Sequence, residues 1–109
     1  MEDFVIREWR LDPYEGDQAP PHVHHEGEEA FVCLGGDLEV LVGDDRRRVE
    51  PGHHVMVPRG TVHTFSTRTG AHVIAVMSPG IADLIDALHA AGSEEERAAA
   101  WERSRSSVA

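Results

Sequence analysis

Histidine is the unusual residue of this chain. There are eight histidines in 109 residues, and five of them fall between positions 22 and 54. Imidazole is the side chain that most often binds metals or transfers protons near neutral pH. His22 and His24 are two residues apart, so on an extended strand both rings point to the same face. Glu29, after a turn at 25–27, and His63, from a neighbouring strand, are candidates to reach the same point.

This group of side chains predicts a metal site. Three neutral imidazoles and one carboxylate form a nitrogen–oxygen ligand set that suits iron, manganese, nickel, cobalt or zinc. Four protein ligands leave one or two positions for water, oxygen or substrate. The residues alone also allow a second interpretation, in which these histidines are polar groups on the surface of an acidic barrel that binds no metal. We expect one divalent metal ion per chain, and its identity stays open.

Short β-type runs separated by turn signals must position these side chains. The runs recur at intervals of about 8–12 residues, which is typical of a sandwich or a barrel. They cover residues 4–11, 29–34, 38–42, 46–50, 53–57, 62–67 and 72–77. The sequence therefore predicts a mostly β fold, a small β-barrel, with its strands over about residues 4–79.

After this β region the hydrophobic period changes to that of a helix. Ile81, Leu84, Ile85 and Leu88 form one apolar stripe, which must bury under its own barrel or against a second copy of the chain. Ser93, with Glu96 three residues later, forms a capping box that opens a second short helix through about residue 102. We expect a frayed tail over 104–109. The predicted organisation is one domain over 1–109, with the helical segment at about 80–103.

Charge and cysteine content exclude several classes of protein. The formal net charge is −10, so phosphate backbones would be repelled and nucleic acid is not an expected partner. The single cysteine, Cys33, excludes an intrachain disulfide. No apolar run approaches the ~20 residues of a membrane span, and the first residues do not resemble a secretory signal. We expect a cytoplasmic protein whose partner is a small molecule, not nucleic acid or a membrane.

Two blocks of sequence resemble the two motifs of the cupins over about residues 12–79. The first block contains Gly16, His22, His24, Glu29 and Gly36 at the motif spacing. The second contains Gly52, Pro58, Gly60 and His63, with Thr67 where the family usually has asparagine. The resemblance implies a double-stranded β-helix, or jelly-roll barrel, whose metal is held by the two motif histidines of the first block, by Glu29 and by His63.

Two positions within these blocks leave alternatives open. Glu28 competes with Glu29 as the carboxylate ligand, and we prefer Glu29 because the second member of the family's Glu-Glu pair is the one that binds. His53 stands where relatives commonly carry aspartate, and His54 follows it. The role of these two histidines is undetermined.

Strand alternation predicts the walls of a pocket beside the metal. Phe31, Cys33 and Phe65 share a face with the candidate ligands, so we expect a mostly apolar pocket for a small organic molecule. Tyr14, on the preceding loop, is a candidate acid or base at its mouth. The alternatives are a core role for the two phenylalanines, plain packing for Cys33 and an exposed position for Tyr14.

The chain resembles most the short quercetin-dioxygenase-like cupins. This resemblance implies a metal-dependent oxidoreductase in which the metal activates an enol or hydroxyl oxygen and O2, with Glu29 as the catalytic base. An isomerase, cyclase or lyase without oxygen chemistry, for example similar to a polyketide cyclase, is the first alternative, and a non-catalytic ligand-binding cupin is the second. The family also implies a homodimer that exchanges or pairs the first strand, residues 4–11.

Overall fold

The computed structural model describes residues 3–109, and Met1 and Glu2 of the predicted domain lie outside the described residues. Within this range the chain forms nine strands and two helices. The strands are β1 (Val5–Leu11), β2 (His22–His24), β3 (Glu29–Gly36), β4 (Leu38–Val42), β5 (Asp45–Val49), β6 (His54–Val57), β7 (His63–Ser66), β8 (Ala71–Met77) and β9 (Ser106–Val108). The helices are α1 (Pro79–Ala90) and α2 (Glu94–Arg103), both between β8 and β9.

The strands form two antiparallel sheets in the order of a jelly roll. One sheet has the order β1-β8-β3-β6, and the other has the order β5-β4-β7-β2-β9. Consecutive strands from β1 to β4 alternate between the two sheets, so the chain wraps around one interior. The predicted mostly β, double-stranded β-helix fold is confirmed.

The core lies between the two sheets and follows from period-2 alternation. Along β8, every second residue from Ala71 to Met77 is buried and the residues between are half-buried. The facing sheet contributes Leu38 and Val40, neither of which has any exposed surface. Because successive side chains of a strand point to opposite faces, this alternation sets which residues of β3 and β7 enter the interior.

Gly36 shows why the first motif closes with a glycine. Its φ is 84°, and a Cβ atom there would collide with the carbonyl oxygen of Gly70 and lie 2.8 Å from Cα of Ala71. Any side chain would be both strained at this φ and without space. The glycine therefore lets the end of β3 approach the start of β8, in the sheet that carries Glu29.

The two helices lie close to their predicted bounds. The apolar stripe of α1 faces the chain's own barrel, where Ile81 and Leu84 are buried. The capping box of α2 forms with one change. Ser93 Oγ accepts from the N–H of Glu96 as expected, but the Glu96 carboxylate accepts from the N–H of Gly92 and not from that of Ser93. Of the two ways to bury the α1 stripe, the structure uses the chain's own interior.

The expectation of a frayed tail was wrong. Ser106–Val108 forms β9, which pairs antiparallel with β2 at three positions, with His24 opposite Ser106. The N–H of Ala109 also donates to the carbonyl of Pro21 at 2.8 Å. A segment of two serines and one valine has no recognisable strand pattern. It forms a strand because it pairs with β2.

β1 completes its sheet within the chain by pairing with β8 at seven positions. Exchange of this strand with a second copy is therefore not needed to close the sheet described. The homodimer stays a prediction. None of the helices over residues 3–109 has both the length and the apolar character that crossing a membrane requires.

Truncation of a core leucine tests this description of the interior. Leu38 has no exposed surface, whereas Leu34, in the preceding strand β3, is 47% exposed. We expect Leu38→Ala to lower the free energy of unfolding by about 2–5 kcal/mol, because it leaves a cavity between the sheets. Leu34→Ala should cost less than about 1 kcal/mol. Urea unfolding of the two variants checks this, and equal losses would contradict the assignment of the core.

Candidate metal centre

Three histidines meet where β2 and β7 pair. His22 lies directly opposite His63 in the antiparallel register, and His24 lies two residues further along β2 on the same face. The ring centroids are 4.3 Å apart for His22 and His63 and 4.9 Å apart for His24 and His63. All three side chains are buried.

Glu29 joins the histidines from the opposite sheet. It begins β3, so its carboxylate crosses the interior to reach the imidazoles of β2 and β7. Its Oε1 lies 3.0 Å from Nε2 of His63 and 3.5 Å from Nε2 of His24. The four candidate ligand atoms all lie within 4.8 Å of one another. The structure thus brings together all four predicted ligands. The three histidines come from the paired strands β2 and β7 of one sheet, and Glu29 comes from the start of β3 in the other.

Each of two imidazoles is held from behind by a backbone carbonyl. Nδ1 of His22 donates to the carbonyl of Pro20 at 2.7 Å, and Nδ1 of His63 donates to the carbonyl of Thr61 at 3.0 Å. A carbonyl only accepts hydrogen bonds, so these two contacts fix the proton on Nδ1. In the neutral rings the Nε2 lone pairs then point into the cluster, which is the orientation that outer-shell partners give to metal-binding histidines.

The contact between His63 and Glu29 requires a cation. With its proton on Nδ1, a neutral His63 presents a lone pair at Nε2, and the carboxylate oxygen 3.0 Å away is also an acceptor. Two acceptors at this distance repel unless a proton or a metal ion lies between them. The donor set of three imidazoles and one carboxylate fits a divalent transition metal in this position.

Burial and the mutual contacts shift two pKa values. Burial lowers the pKa of His22 to about 4, because the charged ring is poorly solvated there. Burial opposes ionisation of Glu29, but the hydrogen bonds that His24 and His63 donate when their Nε2 atoms carry a proton outweigh it and lower the pKa of the carboxyl to about 2. At neutral pH His22 is therefore neutral and Glu29 is a carboxylate, which are the protonation states that a metal ligand needs.

A cavity of about 700 Å³ opens from this cluster. Its walls are largely apolar and come from the barrel on one side and from both helices on the other. Phe31 and Phe65, which alternation predicted, line it with ring centroids 5.0 Å apart. The remaining aromatic walls are Trp9, stacked on Phe65 at 5.8 Å, and Trp101, whose ring lies 5.4 Å from that of His22.

Two of the four predicted pocket residues are corrected. Cys33 is fully buried but packs in the core, and its thiol donates to the carbonyl of Gly35 at 3.5 Å. It lies four residues from Glu29, which is about 13 Å along a strand, so it shares the face of Glu29 without reaching the cavity. Burial raises the pKa of this thiol, consistent with packing. Tyr14 is 55% exposed and does not line the cavity.

The helices supply the part of the wall that the sequence did not assign to the pocket. The α1 residues Ile81, Leu84, Ile85 and Leu88 all line the cavity. This is the apolar stripe whose burial the sequence required. The surface that it covers, the cavity of the barrel, could be identified only from the fold. From α2, Trp101 reaches the candidate ligand His22, a contact between residues 79 positions apart. No local pattern identifies such a contact.

The remaining candidates lie outside the cluster. Glu28, the competing carboxylate, is not among the four clustered residues, and its Oε1 lies 3.7 Å from Nη2 of Arg59. His53 and His54 are exposed on the turn before β6 and at its start.

The match to a family model decides what this barrel is. Residues 8–78 match the Cupin_2 model, described as a cupin domain. This chain is a cupin. The match includes all four clustered side chains, and the cupin continues beyond it with α1, α2 and β9.

Known proteins share this fold at modest sequence identity. Quercetin 2,3-dioxygenase of Bacillus subtilis strain 168 is 30% identical over 69 residues, which are 61% of this chain and 20% of that enzyme. The chain therefore spans about a fifth of the length of this relative. The solved structure of TT1209 from Thermus thermophilus is similar with a TM-score of 0.63 and 25% identity, covering 72% of this chain and 75% of that chain.

Two further solved structures resemble the cupin at 24% identity. KdgF from Halomonas sp. has a TM-score of 0.61 and covers 72% of this chain and 71% of that chain. A sugar phosphate isomerase from Silicibacter pomeroyi also has a TM-score of 0.61, covering 72% of this chain and 52% of that one. These likenesses show the fold.

Removal of one clustered histidine tests metal binding. We expect the wild-type chain to bind one divalent ion and His63→Ala to lose it, because this substitution removes a ligand and leaves Glu29 with one imidazole contact fewer. Losses in affinity should exceed the roughly 10–100-fold cost of losing an outer-shell partner. The measurement is metal content by mass spectrometry together with titration calorimetry. His53→Ala, an exposed histidine outside the cluster, is the control and should bind like the wild type.

The pKa of His22 also predicts how acid affects the metal-free protein. Between pH 6.5 and about 4 the unfolded chain binds a proton at this position and the folded chain does not, so stability falls as the pH is lowered through this window. The change attributable to His22 is up to about 3 kcal/mol. Glu29 adds a further loss between pH 4.5 and about 2.

Urea unfolding at pH 7, 5.5 and 4.5 checks the contribution of His22. His22→Asn should flatten the dependence above pH 4.5, since asparagine does not titrate and can still donate to Pro20. His53→Asn should keep the wild-type dependence. An unchanged slope in the His22→Asn variant would contradict the assignment.

Proposed function

We propose that this cupin is a metal-dependent enzyme that oxidises a small, largely apolar organic molecule carrying an enol or phenolic hydroxyl, with O2 as the oxidant. The observation that supports this most directly is the position of the His/Glu cluster, which opens into an aromatic-walled cavity of about 700 Å³. The 30% identity to a quercetin 2,3-dioxygenase supports the same class of reaction.

The metal would be held by His22, His24, Glu29 and His63. When bound, it would supply Lewis acidity toward a hydroxyl oxygen and, if redox-active, a path for electrons between substrate and O2. Iron, manganese, nickel, cobalt and zinc all suit this donor set.

Glu29 is the proposed catalytic base. Its side chain is ionised at neutral pH, with a pKa held at about 2 by hydrogen bonds from His24 and His63, and these bonds must be released before the carboxylate is basic enough to take a proton from the substrate hydroxyl. The imidazoles of His24 and His63, at 3.5 and 3.0 Å, orient the carboxylate before substrate arrives. The burial of Glu29, with 4% of its surface exposed, excludes bulk water from the proton transfer.

The walls of the cavity favour a planar apolar substrate. Trp9, Phe65 and Trp101 present aromatic surfaces against which a ring can pack. A ligand with one polar end and an apolar body would be oriented by the cluster, with its hydroxyl toward Glu29. We therefore infer an aromatic or diketone-like substrate.

A non-oxidative isomerase is the second candidate, since two similar structures are described as sugar phosphate isomerases. A sugar phosphate needs hydrogen-bond partners for several hydroxyls and a cation for its phosphate. The cationic side chains on this cavity wall, among residues 3–109, are Arg97 and, when protonated, the histidines. Nη1 of Arg97 lies 3.0 Å from Oε1 of Glu94, so its charge is already compensated. The apolar wall therefore favours an apolar molecule over a sugar phosphate.

Two neighbouring carboxylates provide a matched test of the base. With the metal-loaded protein, we expect O2 consumption with a flavonol or a 1,3-diketone, measured with an oxygen electrode. Glu29→Gln should reduce turnover at least about 100-fold, because the amide neither accepts the proton nor carries the charge. Glu28→Gln, one residue earlier and outside the cluster, should stay within about threefold of the wild type.

The outcome also separates the alternatives. No O2 consumption with any flavonol or diketone would refute the dioxygenase proposal. Product formation that continues without oxygen would identify an isomerase, cyclase or lyase. Tight ligand binding without turnover, unchanged in Glu29→Gln, would identify a binding protein.

A further inference from the structure

The last strand of the chain lies against the strand that carries two of the clustered histidines. β9 pairs with β2 so that His22 faces Val108, Val23 faces Ser107 and His24 faces Ser106. Residues 79–109 lie beyond the family match, which ends at residue 78. A segment outside the family model is thus in direct contact with the candidate metal centre.

Ser106 contacts a candidate ligand through its side chain. It is 7% exposed, and its Oγ lies 2.7 Å from Nδ1 of His24. The corresponding Nδ1 atoms of His22 and His63 face backbone carbonyls, at Pro20 and Thr61. His24 is therefore the one member of the three-imidazole set that is held from behind by a side chain and not by the backbone.

We propose that Ser106 is a positioning residue of the metal centre, whose hydroxyl holds the His24 ring in the orientation that presents Nε2 to the metal. This inference rests on the metal site of the proposed function. Its geometric basis is the buried 2.7 Å contact and the register that puts Ser106 opposite His24.

A hydroxyl has a property that the two carbonyls lack. It can accept from Nδ1–H or donate to an unprotonated Nδ1. With Nδ1 accepting, His24 carries its proton on Nε2 and can donate toward Oε1 of Glu29, 3.5 Å away. With Nδ1–H donating, the Nε2 lone pair is free for a metal. Ser106 therefore keeps its bond to His24 in both the metal-free and the metal-loaded protein.

Other contacts fix β9 independently of this hydroxyl. The N–H of His25 donates to the carbonyl of Arg105 at 2.9 Å, and Arg105 forms an ion pair with Glu26 at 3.2 Å. Ser107, the next residue, bonds through Oγ to Nε2 of His25 at 2.9 Å, an exposed contact outside the cluster. Ser107→Ala is therefore a matched control, since it removes a serine–histidine contact from the same strand without touching a candidate ligand.

The experiment compares three variants of the full chain by competition titration with Co²⁺ and Zn²⁺. We expect Ser106→Ala to weaken metal binding about 10–100-fold. Ser106→Thr retains a hydroxyl and should stay within about threefold of the wild type, as should Ser107→Ala. The visible absorption of bound Co²⁺ should change in Ser106→Ala only, because a reoriented His24 alters the ligand geometry.

Affinity of Ser106→Ala within threefold of the wild type, or an equal loss in Ser107→Ala, would overturn the inference. If Ser106→Ala does not fold, ring ¹⁵N spectra of the zinc-loaded wild type decide the question. There the Nδ1 proton of His24 should exchange with solvent far more slowly than ring protons of the exposed His53, and equal exchange would refute the hydroxyl contact. A wild type that binds neither metal would refute the proposed function itself.

Discussion

The burial of one carboxylate is the constraint on which the rest of the site depends. Glu29 sits inside the barrel with 4% of its surface exposed, and an ionised carboxylate there costs several kcal/mol unless charges or hydrogen bonds compensate it. The imidazoles of His24 and His63 reach the carboxylate from the opposite sheet, and they compensate its charge when a proton or a metal ion lies between them and Oε1. They can do so only while β2 and β7 keep the register that places His22 opposite His63. The ionisation of this one side chain thus depends on how the two sheets are placed relative to each other.

The region that matches the cupin family and the helical region beyond it contribute different parts of this site. The region that matches the cupin family, residues 8–78, carries the whole His/Glu cluster. Much of the cavity wall comes from α1 and α2, beyond that match, through the Ile81–Leu88 stripe and Trp101. The His/Glu cluster therefore lies wholly within the family match, whereas the cavity wall combines residues of the matched region, such as Trp9 and Phe65, with residues beyond it.

The sequence predicted the features that depend on local periodicity or on motif spacing, which include the jelly-roll fold and the clustering of the four candidate ligands. Alternation also placed Cys33 and Phe65 inward, but it gives the face of a residue and not its distance along the barrel. Phe65 reaches the cavity, and Cys33 lies beyond it. Features that arise only from tertiary contacts could not be predicted in this way. The strand β9 has no hydrophobic pattern and is ordered by a partner strand about 80 positions earlier, and the contact of Trp101 with His22 spans a similar separation.

The polar His/Glu cluster lies beside largely apolar walls, and this affects the interactions that the cluster can make. Apolar walls lower the local dielectric constant, which strengthens every electrostatic interaction made at the cluster. Most of the wall offers a ligand no hydrogen bonds, so the polar end of a bound molecule would favour the cluster or the few other polar side chains of the wall, such as Gln18 and Arg97. Orientation then follows from polarity, and selection among candidate molecules follows from the fit of their apolar bodies to Trp9, Phe65 and Trp101. On the proposed function, the cluster would select the metal and the aromatic walls would contribute most to the selection of a substrate.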